Sequence, residues 1–113
     1  KKAKQVTHLP GANWAPFFLP NGKKILFCSN NHSIDKGGRI FDIFMINTDG
    51  SGLEKITNSE TFDAFPMFSF DGKKIAFCSN RQSDRKPSRD TNVFVADWIE
   101  NPEAVDVNFK SQK

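Results

Sequence analysis

The chain contains two histidines, His8 and His32, and histidine is the side chain best suited to general base catalysis or metal binding near neutral pH. The spacing between them matches no local ligand motif. His8 precedes a predicted strand and His32 lies in a long polar loop, so we expect both to be contacts on one loop-rich surface. Because exposed loop histidines are mostly structural, we assign a catalytic role to neither.

Residues 47–52 read NTDGSG and place oxygen-bearing side chains at alternate positions, as a calcium-binding loop does. The bidentate glutamate that such a loop needs further along is absent, and the second half of the chain has no similar segment. The same residues are typical of a hairpin turn. We therefore predict a turn at 47–52 and not a metal site.

The sequence contains no nucleophile elbow, phosphate-binding glycine loop, paired-cysteine zinc motif or tight cluster of histidine and carboxylate side chains. It therefore offers no complete active site, and we predict no catalytic residue, no metal and no cofactor. What the polar residues do depends on the elements that position them.

The dominant feature of the sequence is a repeat with a period of fifty residues. The segment PFFLPNGKKILFCSN at 16–30 returns as PMFSFDGKKIAFCSN at 66–80, with ten of fifteen positions identical. Shorter matches, such as 42–45 with 92–95, extend the repeat over almost the whole chain. A repeat of this length indicates a solenoid, propeller or array, in which each unit buries its apolar faces against copies of itself.

Each repeat is predicted to form short strands, over residues 14–19, 24–29, 41–47 and 54–57 in the first repeat and 65–70, 74–79 and 92–98 in the second. Asn-Gly at 21–22 and Asp-Gly at 71–72 supply the positive φ angles of tight hairpins between the first two strands of each repeat. The second strands are apolar on both alternating faces, which is typical of a strand between two layers. The polar stretches at 30–39 and 80–90 are predicted to be long loops.

Cys28 and Cys78 occupy equivalent positions in the two repeats. The repeat operation usually leaves such sulfur atoms too far apart to bond, so a disulfide is not expected. Each lies in an apolar strand, and we predict buried, unreactive thiols that behave as small hydrophobic side chains.

The composition is that of a folded domain: 37% of the 113 residues are hydrophobic and 12% are aromatic. The net charge of +3 is spread through turns and termini without a basic stripe, which argues against nucleic-acid binding. No apolar run is long enough for membrane insertion, and the N-terminus has no signal-peptide pattern. Because the first residues already lie inside a repeat, we expect the natural protein to continue upstream.

The segment DAFPMFSFDGKKIAFCSNR at 63–81 resembles the WD40-like (PD40-type) repeat of TolB-type β-propellers. The signature of that repeat runs Asp, two residues, Pro, an aromatic residue, Ser-Pro-Asp-Gly-Lys, then an apolar strand that ends in Ser-Asn-Arg. The departures are small: Phe70 replaces the signature proline, and the first copy has LPN at 19–21 and Asn13 in place of the leading aspartate.

This resemblance implies an all-β fold of four-stranded antiparallel blades, in a propeller of about six blades of which this chain supplies the C-terminal two. The repeat register assigns residues 1–7 to the last strand of a preceding blade and 8–57 to a complete blade. It assigns 58–98 to three strands of the final blade and 99–113 to a C-terminal tail. The missing blades would come from the rest of a longer chain or, less readily, from other copies of this one.

By resemblance we expect a non-enzymatic scaffold in the cell envelope, periplasmic or otherwise exported, which binds a protein or peptide partner through its loops. The predicted binding residues are His8, Asn13, Asn31, His32, Asp35, Arg39, Asp63, Arg81, Asp84 and Arg85. Asn13 and Asp63 precede the innermost strands, where we expect each side chain to accept a backbone N–H and stabilise the entry turn. They could instead supply oxygen atoms to a ligand at the central channel.

Two other classes of protein stay open at this point. Propellers of similar repeat type serve as metal-dependent polysaccharide lyases or as the gating domain of a serine peptidase, and either would need groups that these 113 residues lack. A glycan-binding module would need Trp14 or Trp98 to face solvent, whereas we expect both to pack.

Overall fold

The computed structural model of the protein describes residues 1–81 and 90–99. In this part of the chain it contains seven strands: β1 Asn13–Phe18, β2 Lys24–Ser29, β3 Asp42–Asn47, β4 Glu54–Lys55, β5 Asp63–Phe68, β6 Lys74–Ser79 and β7 Asn92–Asp97. They form a four-stranded sheet in the order β1-β2-β3-β4 and a three-stranded sheet in the order β5-β6-β7. All pairings within the sheets are antiparallel, so the predicted all-β fold of two blades is confirmed.

The two sheets have the same register fifty residues apart. In the first blade Cys28 pairs with Ile43, and in the second Cys78 pairs with Val93. The innermost strands β1 and β5 both contain a bulge at the equivalent residues Ala15 and Phe65, where φ is +56° and +58°. A positive φ is costly for residues other than glycine, so the bulge is a deliberate feature of this repeat.

Several boundaries differ from the sequence prediction. The innermost strands begin slightly earlier than predicted, because Asn13 and Asp63 already pair with the ends of β2 and β6. The fourth strand is short, because after Lys55 the chain turns so that two successive N–H groups, those of residues 56 and 57, donate to the carbonyl of Ile43. The predicted loop at 30–39 contains a 3₁₀ helix, Asn31–Lys36, which ends at Gly37 with φ +96°.

The hairpin turns also differ in detail. Only the glycine of each dipeptide, Gly22 or Gly72, has a positive φ, so the expectation that Asn21 and Asp71 would share this conformation was wrong. Instead, the side-chain oxygen of Asn21 or Asp71 accepts the N–H two residues on, at 2.8 and 3.0 Å. This bond satisfies a backbone N–H of the turn. The positive φ falls on the glycine alone, which has no side chain to clash with the backbone.

The main core lies between the two sheets. It is built from one face of each blade, and its buried members are Leu19, Leu26, Ile43, Met45, Ile56, Phe68, Ile75, Phe77 and Trp98. The opposite face of the first blade is covered by Val6 and Leu9, which pack against a smaller cluster around Phe27 and Phe44. Strands β2 and β3 are thus covered on both faces. Burial on both faces was predicted for the second strand of each repeat; β2 meets this prediction, whereas β6 is covered on one face only within the described residues.

The second blade is covered on one face only within the described residues. Its other face exposes Met67, Val93 and Val95. The first-blade equivalents of the two valines, Ile43 and Met45, are instead buried against the second blade. Residues 4–7, which we predict to be the fourth strand of a preceding blade, form no strand here. The partner strand of such a segment would belong to that other blade, so this assignment stays a prediction. Within the described ranges, no helix is long and apolar enough to cross a membrane.

Candidate functional site

The edge of the two sheets where β1 and β5 begin, together with the connection between β2 and β3, is called the loop face here. One asparagine in each blade, Asn30 in the first and Asn80 in the second, organises this face in the same way. Asn30 Oδ1 accepts the N–H of Ala12 at 2.8 Å, and Asn80 Oδ1 accepts the N–H of Phe62 at 3.0 Å. Each bond ties the entry of an innermost strand to the end of the neighbouring strand, which holds the surface side chains of the loop face on a rigid frame.

In the first blade the loop face is held by neutral polar groups. Asn13 Nδ2 donates to the carbonyl of Leu9 at 3.0 Å, and Asn13 Oδ1 accepts from Ser29 Oγ at 2.5 Å. Asn31 Nδ2 also donates to Ser29 Oγ, at 2.8 Å. The expectation that Asn13 accepts a backbone N–H was therefore wrong, because the serine hydroxyl takes that position.

In the second blade the equivalent positions carry an ion pair. Asp63 is fully buried, and Arg81 Nη2 donates to its Oδ2 at 2.8 Å. Arg81 Nε donates to Ser79 Oγ at 3.1 Å, and the guanidinium carbon lies 5.1 Å from the ring centroid of Phe77. Asp63 thus accepts from a side chain instead of the predicted backbone N–H, because the long arginine reaches it from the end of β6.

A second charged group, centred on Asp42, lies at the start of β3. The fully buried carboxylate accepts from Thr57 Oγ1 at 3.0 Å and from the N–H of Ser59 at 3.1 Å through Oδ1. Its Oδ2 lies 3.0 Å from His32 Nε2 and 3.5 Å from Lys55 Nζ. His32 is partly buried against this carboxylate, so the expectation that it is exposed was wrong, whereas its role as a binding contact stays a prediction.

Burial dominates the electrostatics of this group. Removal from water raises the pKa of Asp42 to about 7, against the opposing effects of Lys55 and the Thr57 hydrogen bond, and the neighbouring Asp63 carboxylate raises it further. Burial, with Lys55 nearby, lowers the pKa of His32. Below neutral pH Asp42 is therefore mainly protonated, and His32 takes up a proton only at a lower pH than an ordinary histidine does.

Four aromatic rings form a patch on the loop face, named the aromatic patch here: Trp14, Phe41, Phe62 and Phe65. The Trp14 ring lies 4.7 Å from Phe41 and 5.8 Å from Phe65 between centroids. Trp14 is 39% exposed and Phe65 is 47% exposed. The expectation that Trp14 packs inside was wrong, because the second blade covers it on one side only.

The other tryptophan behaves as predicted. Trp98 is buried and meets Phe68 edge to face at 5.1 Å. Both cysteines are free. Cys28 is buried as predicted, whereas Cys78 is half-buried, so the prediction of burial was wrong for Cys78, which lies in the blade that is covered on one face only within the described residues. At 47–52, Asp49 Oδ1 accepts the N–H of Ser51 at 2.9 Å, which confirms the predicted turn.

The remaining predicted binding residues are spread over the loop face. His8 is exposed and lies 3.3 Å from the Gln5 side chain through Nδ1. Asp35 and Arg39 are exposed. A groove of about 740 Å³ opens between the blades on this face, lined by Arg39, Ile40, Glu60, Thr61, Phe62, Asn80 and Thr91. Asp84 and Arg85 lie outside the described residues.

Sequence reasoning missed Asp42, Lys55 and Thr57. The only local signal was a charged residue, Asp42, placed directly before the apolar run of β3. In the part of the chain that the structure describes, no three histidine, cysteine or carboxylate side chains come together as metal ligands. The loop face therefore combines an apolar aromatic patch with buried charged groups beneath it.

Neither a protein-family model nor a curated protein sequence matches the chain. Solved structures do. A TolB from Agrobacterium tumefaciens matches with a TM-score of 0.64 and 32% identity, over 81% of this chain and 32% of that one. TolB from Acinetobacter baumannii matches with a TM-score of 0.60 and 26% identity, over 83% of this chain and 21% of that one. The chain thus spans about a third or less of these relatives.

Two antiparallel sheets with a fifty-residue period, stacked through apolar faces, are consecutive blades of a β-propeller. The pairing of the first three strands, the bulge in the innermost strand and the asparagine hydrogen bonds of the loop face are the same in both blades. The propeller is of the TolB-like kind, so the resemblance of the 63–81 motif is confirmed by the structural similarity.

Proposed function

We propose that this chain is part of a non-enzymatic propeller of the cell envelope, periplasmic or otherwise exported, which binds a protein or peptide partner through its loop face. The aromatic patch is the observation that carries this proposal. Exposed tryptophan and phenylalanine side chains on a rigid frame are typical of the energetically dominant centre of a protein interface. Trp14 and Phe65 meet that description, and Arg39 and Glu60, which line the groove together with Phe62 of the patch, provide a charged rim.

The surrounding architecture in this proposal is a larger ring. Residues 8–57 and 58–98 are two of its blades and 1–7 complete a preceding blade; the predicted tail, 99–113, lies outside the described residues except for its first residue. The uncovered face of the second blade, with Met67, Val93 and Val95 exposed, supports further blades in the complete protein. The predicted binding residues His8, Asn13, Asn31, Asp35 and Arg39 would then lie around one end of the ring.

A site-specific photo-crosslinking experiment tests the partner. The protein is exported in a bacterial host with the crosslinking amino acid at Arg39, on the loop face, or at Phe70, on the opposite edge of the sheet. We expect a discrete adduct from position 39 only. We also expect Trp14→Ala to abolish it, because truncating a central aromatic residue costs about tenfold or more in affinity. Equal adducts from both positions, or an adduct that survives Trp14→Ala, would overturn the proposal.

A glycan-binding module is the second candidate, because it required an exposed tryptophan and Trp14 is exposed. Trp98→Phe leaves Trp14 as the sole tryptophan, so its fluorescence reports on the aromatic patch alone. Soluble peptidoglycan fragments should leave this fluorescence unchanged if the partner is a protein. Saturable quenching by the fragments would favour the glycan-binding module instead.

A further inference from the structure

Five ionisable side chains meet between the two blades, beneath the loop face. His32, Asp42 and Lys55 come from the first blade, and Asp63 and Arg81 come from the second. The two carboxylates are fully buried. Arg81 satisfies Asp63 Oδ2 at 2.8 Å, but Lys55 is 3.5 Å from Asp42 Oδ2, which is beyond ordinary hydrogen-bond length.

Two oxygen atoms of this group have no hydrogen-bond partner among the described residues: Asp42 Oδ2 and Asp63 Oδ1. The N–H of Asp63 donates to the carbonyl of Phe41 at 2.9 Å, which places Asp63 beside the residue next to Asp42 in the adjoining strand, and the Asp63 carboxylate contributes to the raised pKa of Asp42. A single proton on one of them would satisfy both atoms, and neighbouring buried carboxyl groups resist simultaneous ionisation.

We propose that Asp42 and Asp63 share one proton across the junction of the two blades, and that release of this proton moves His32 and the 3₁₀ helix Asn31–Lys36, so that pH regulates the loop face. The regulatory part rests on the proposed function of that face; the shared proton does not. The groups that face Asp42 are His32 from the 3₁₀ helix, Lys55 from β4 and Asp63 from β5.

Charge explains the direction of the change. With one proton on the carboxyl pair, a single negative charge faces Lys55 and Arg81, and burial disfavours the charged form of His32. When the proton leaves to solvent, a second buried negative charge appears, and the nearest groups able to respond are Lys55 and His32. Because His32 Nε2 already lies 3.0 Å from Asp42 Oδ2, the imidazole and the helix that carries it are drawn toward the carboxylate.

The chain itself contains neutral versions of both carboxylates. Fifty residues from Asp42 the second repeat has Asn92, and fifty residues from Asp63 the first repeat has Asn13. Both asparagines begin strands with the same register as the aspartates. The blade therefore does not need an acid at either position, which makes Asp→Asn a clean substitution.

The test is an NMR titration of the 113-residue chain from acidic to alkaline pH, following aspartate side-chain carboxyl carbons and the amides of the 3₁₀ helix. We expect one carboxyl titration with a midpoint near 7, and helix amides that shift with the same midpoint. Asp42→Asn and Asp63→Asn should each abolish the neutral midpoint, whereas the exposed Asp97→Asn should not. If every aspartate titrates in the ordinary acidic range, the shared proton is wrong.

His32→Gln separates the two parts of the proposal. The carboxyl midpoint should persist in this variant while the helix amides lose their response; amides that still respond would overturn transmission through His32. The crosslinking yield from Arg39 should change across the same midpoint in the wild-type protein and not in Asp42→Asn. A constant yield with an intact titration would overturn the regulatory part alone, and absence of any adduct would overturn the proposed function while leaving the shared proton standing.

Discussion

Arg81 donates to the buried carboxylate of Asp63 at 2.8 Å. In the first repeat the position of Arg81 is held by Asn31 and that of Asp63 by Asn13. In the first blade both amides bind Ser29 Oγ, so the same backbone frame is held without charge. The blades are therefore equivalent in register and different in electrostatics. The charged version lies at the junction between the two sheets, where it is shielded from water.

We expect Arg81→Asn to lower the free energy of unfolding by about 3 kcal/mol, because it leaves the Asp63 carboxylate buried without its counter-charge. The double variant Asp63→Asn/Arg81→Asn reproduces the amides of the first repeat and should recover most of the loss. Urea unfolding of the three proteins measures both effects. Lys74→Ala, at the exposed Lys74–Asp97 pair, is the control and should leave the unfolding midpoint unchanged. A double variant as unstable as the single one would contradict this account.

The stability of the protein should depend on pH through Asp42. Because its pKa is raised from 3.8 to about 7, the folded state binds more protons than the unfolded state in that window. The resulting stabilisation is complete below pH 3.8 and is lost as the pH rises through 7. The lowered pKa of His32 acts in the opposite direction, since its contribution is present above pH 6.5 and is lost on acidification.

Asp42→Asn isolates the carboxyl contribution. The difference in unfolding free energy between wild type and variant should change with pH in this window by up to about 1.4 kcal/mol per pH unit, with wild type favoured at the acidic end. Denaturant unfolding at a series of pH values measures it. A difference that stays constant from acidic to neutral pH would show that Asp42 ionises normally in the fold.

The positive φ of the bulge in the innermost strand predicts how a glycine at this position affects stability. Ala15 has φ +56°, which costs an L-residue about 1 kcal/mol or more, so Ala15→Gly should leave stability unchanged or raise it slightly. Ala76, in the regular part of β6, is the matched control, and Ala76→Gly should destabilise by about 1 kcal/mol. Thermal unfolding of the two variants decides the matter. Equal losses would mean that the bulge is not strained.

The two thiols should react at different rates. Burial raises the pKa of Cys28, and its Sγ donates to the carbonyl of Trp14 at 3.4 Å, whereas Cys78 is half-buried on the uncovered face of the second blade. An aromatic disulfide reagent should therefore modify the native protein in one fast and one slow phase. Cys78→Ser should remove the fast phase and Cys28→Ser the slow one. A single phase for both thiols would contradict the difference in burial.

Much of the fold could be predicted from the sequence because its signals are local. The Asn-Gly and Asp-Gly turns and the apolar runs placed β2 and β6 at their observed residues, and the fifty-residue period predicted the equivalence of the two sheets. The 3₁₀ helix Asn31–Lys36 was missed because its polar sequence resembles a loop. The contact of His32 with Asp42 that helps to hold this helix lies in the next strand, outside the segment that forms the helix.

The repeated blade, its turns and its apolar faces could be predicted from the sequence, because each depends on backbone angles and side-chain alternation within a few neighbouring residues. Packing between the sheets exposes Trp14, buries Trp98 and brings Asp63 beside the strand that carries Asp42. The exposure of a side chain and the proton affinity of a carboxyl group depend on what packs across the junction of the two sheets. The sequence of one strand does not specify which residues of the other sheet pack against it.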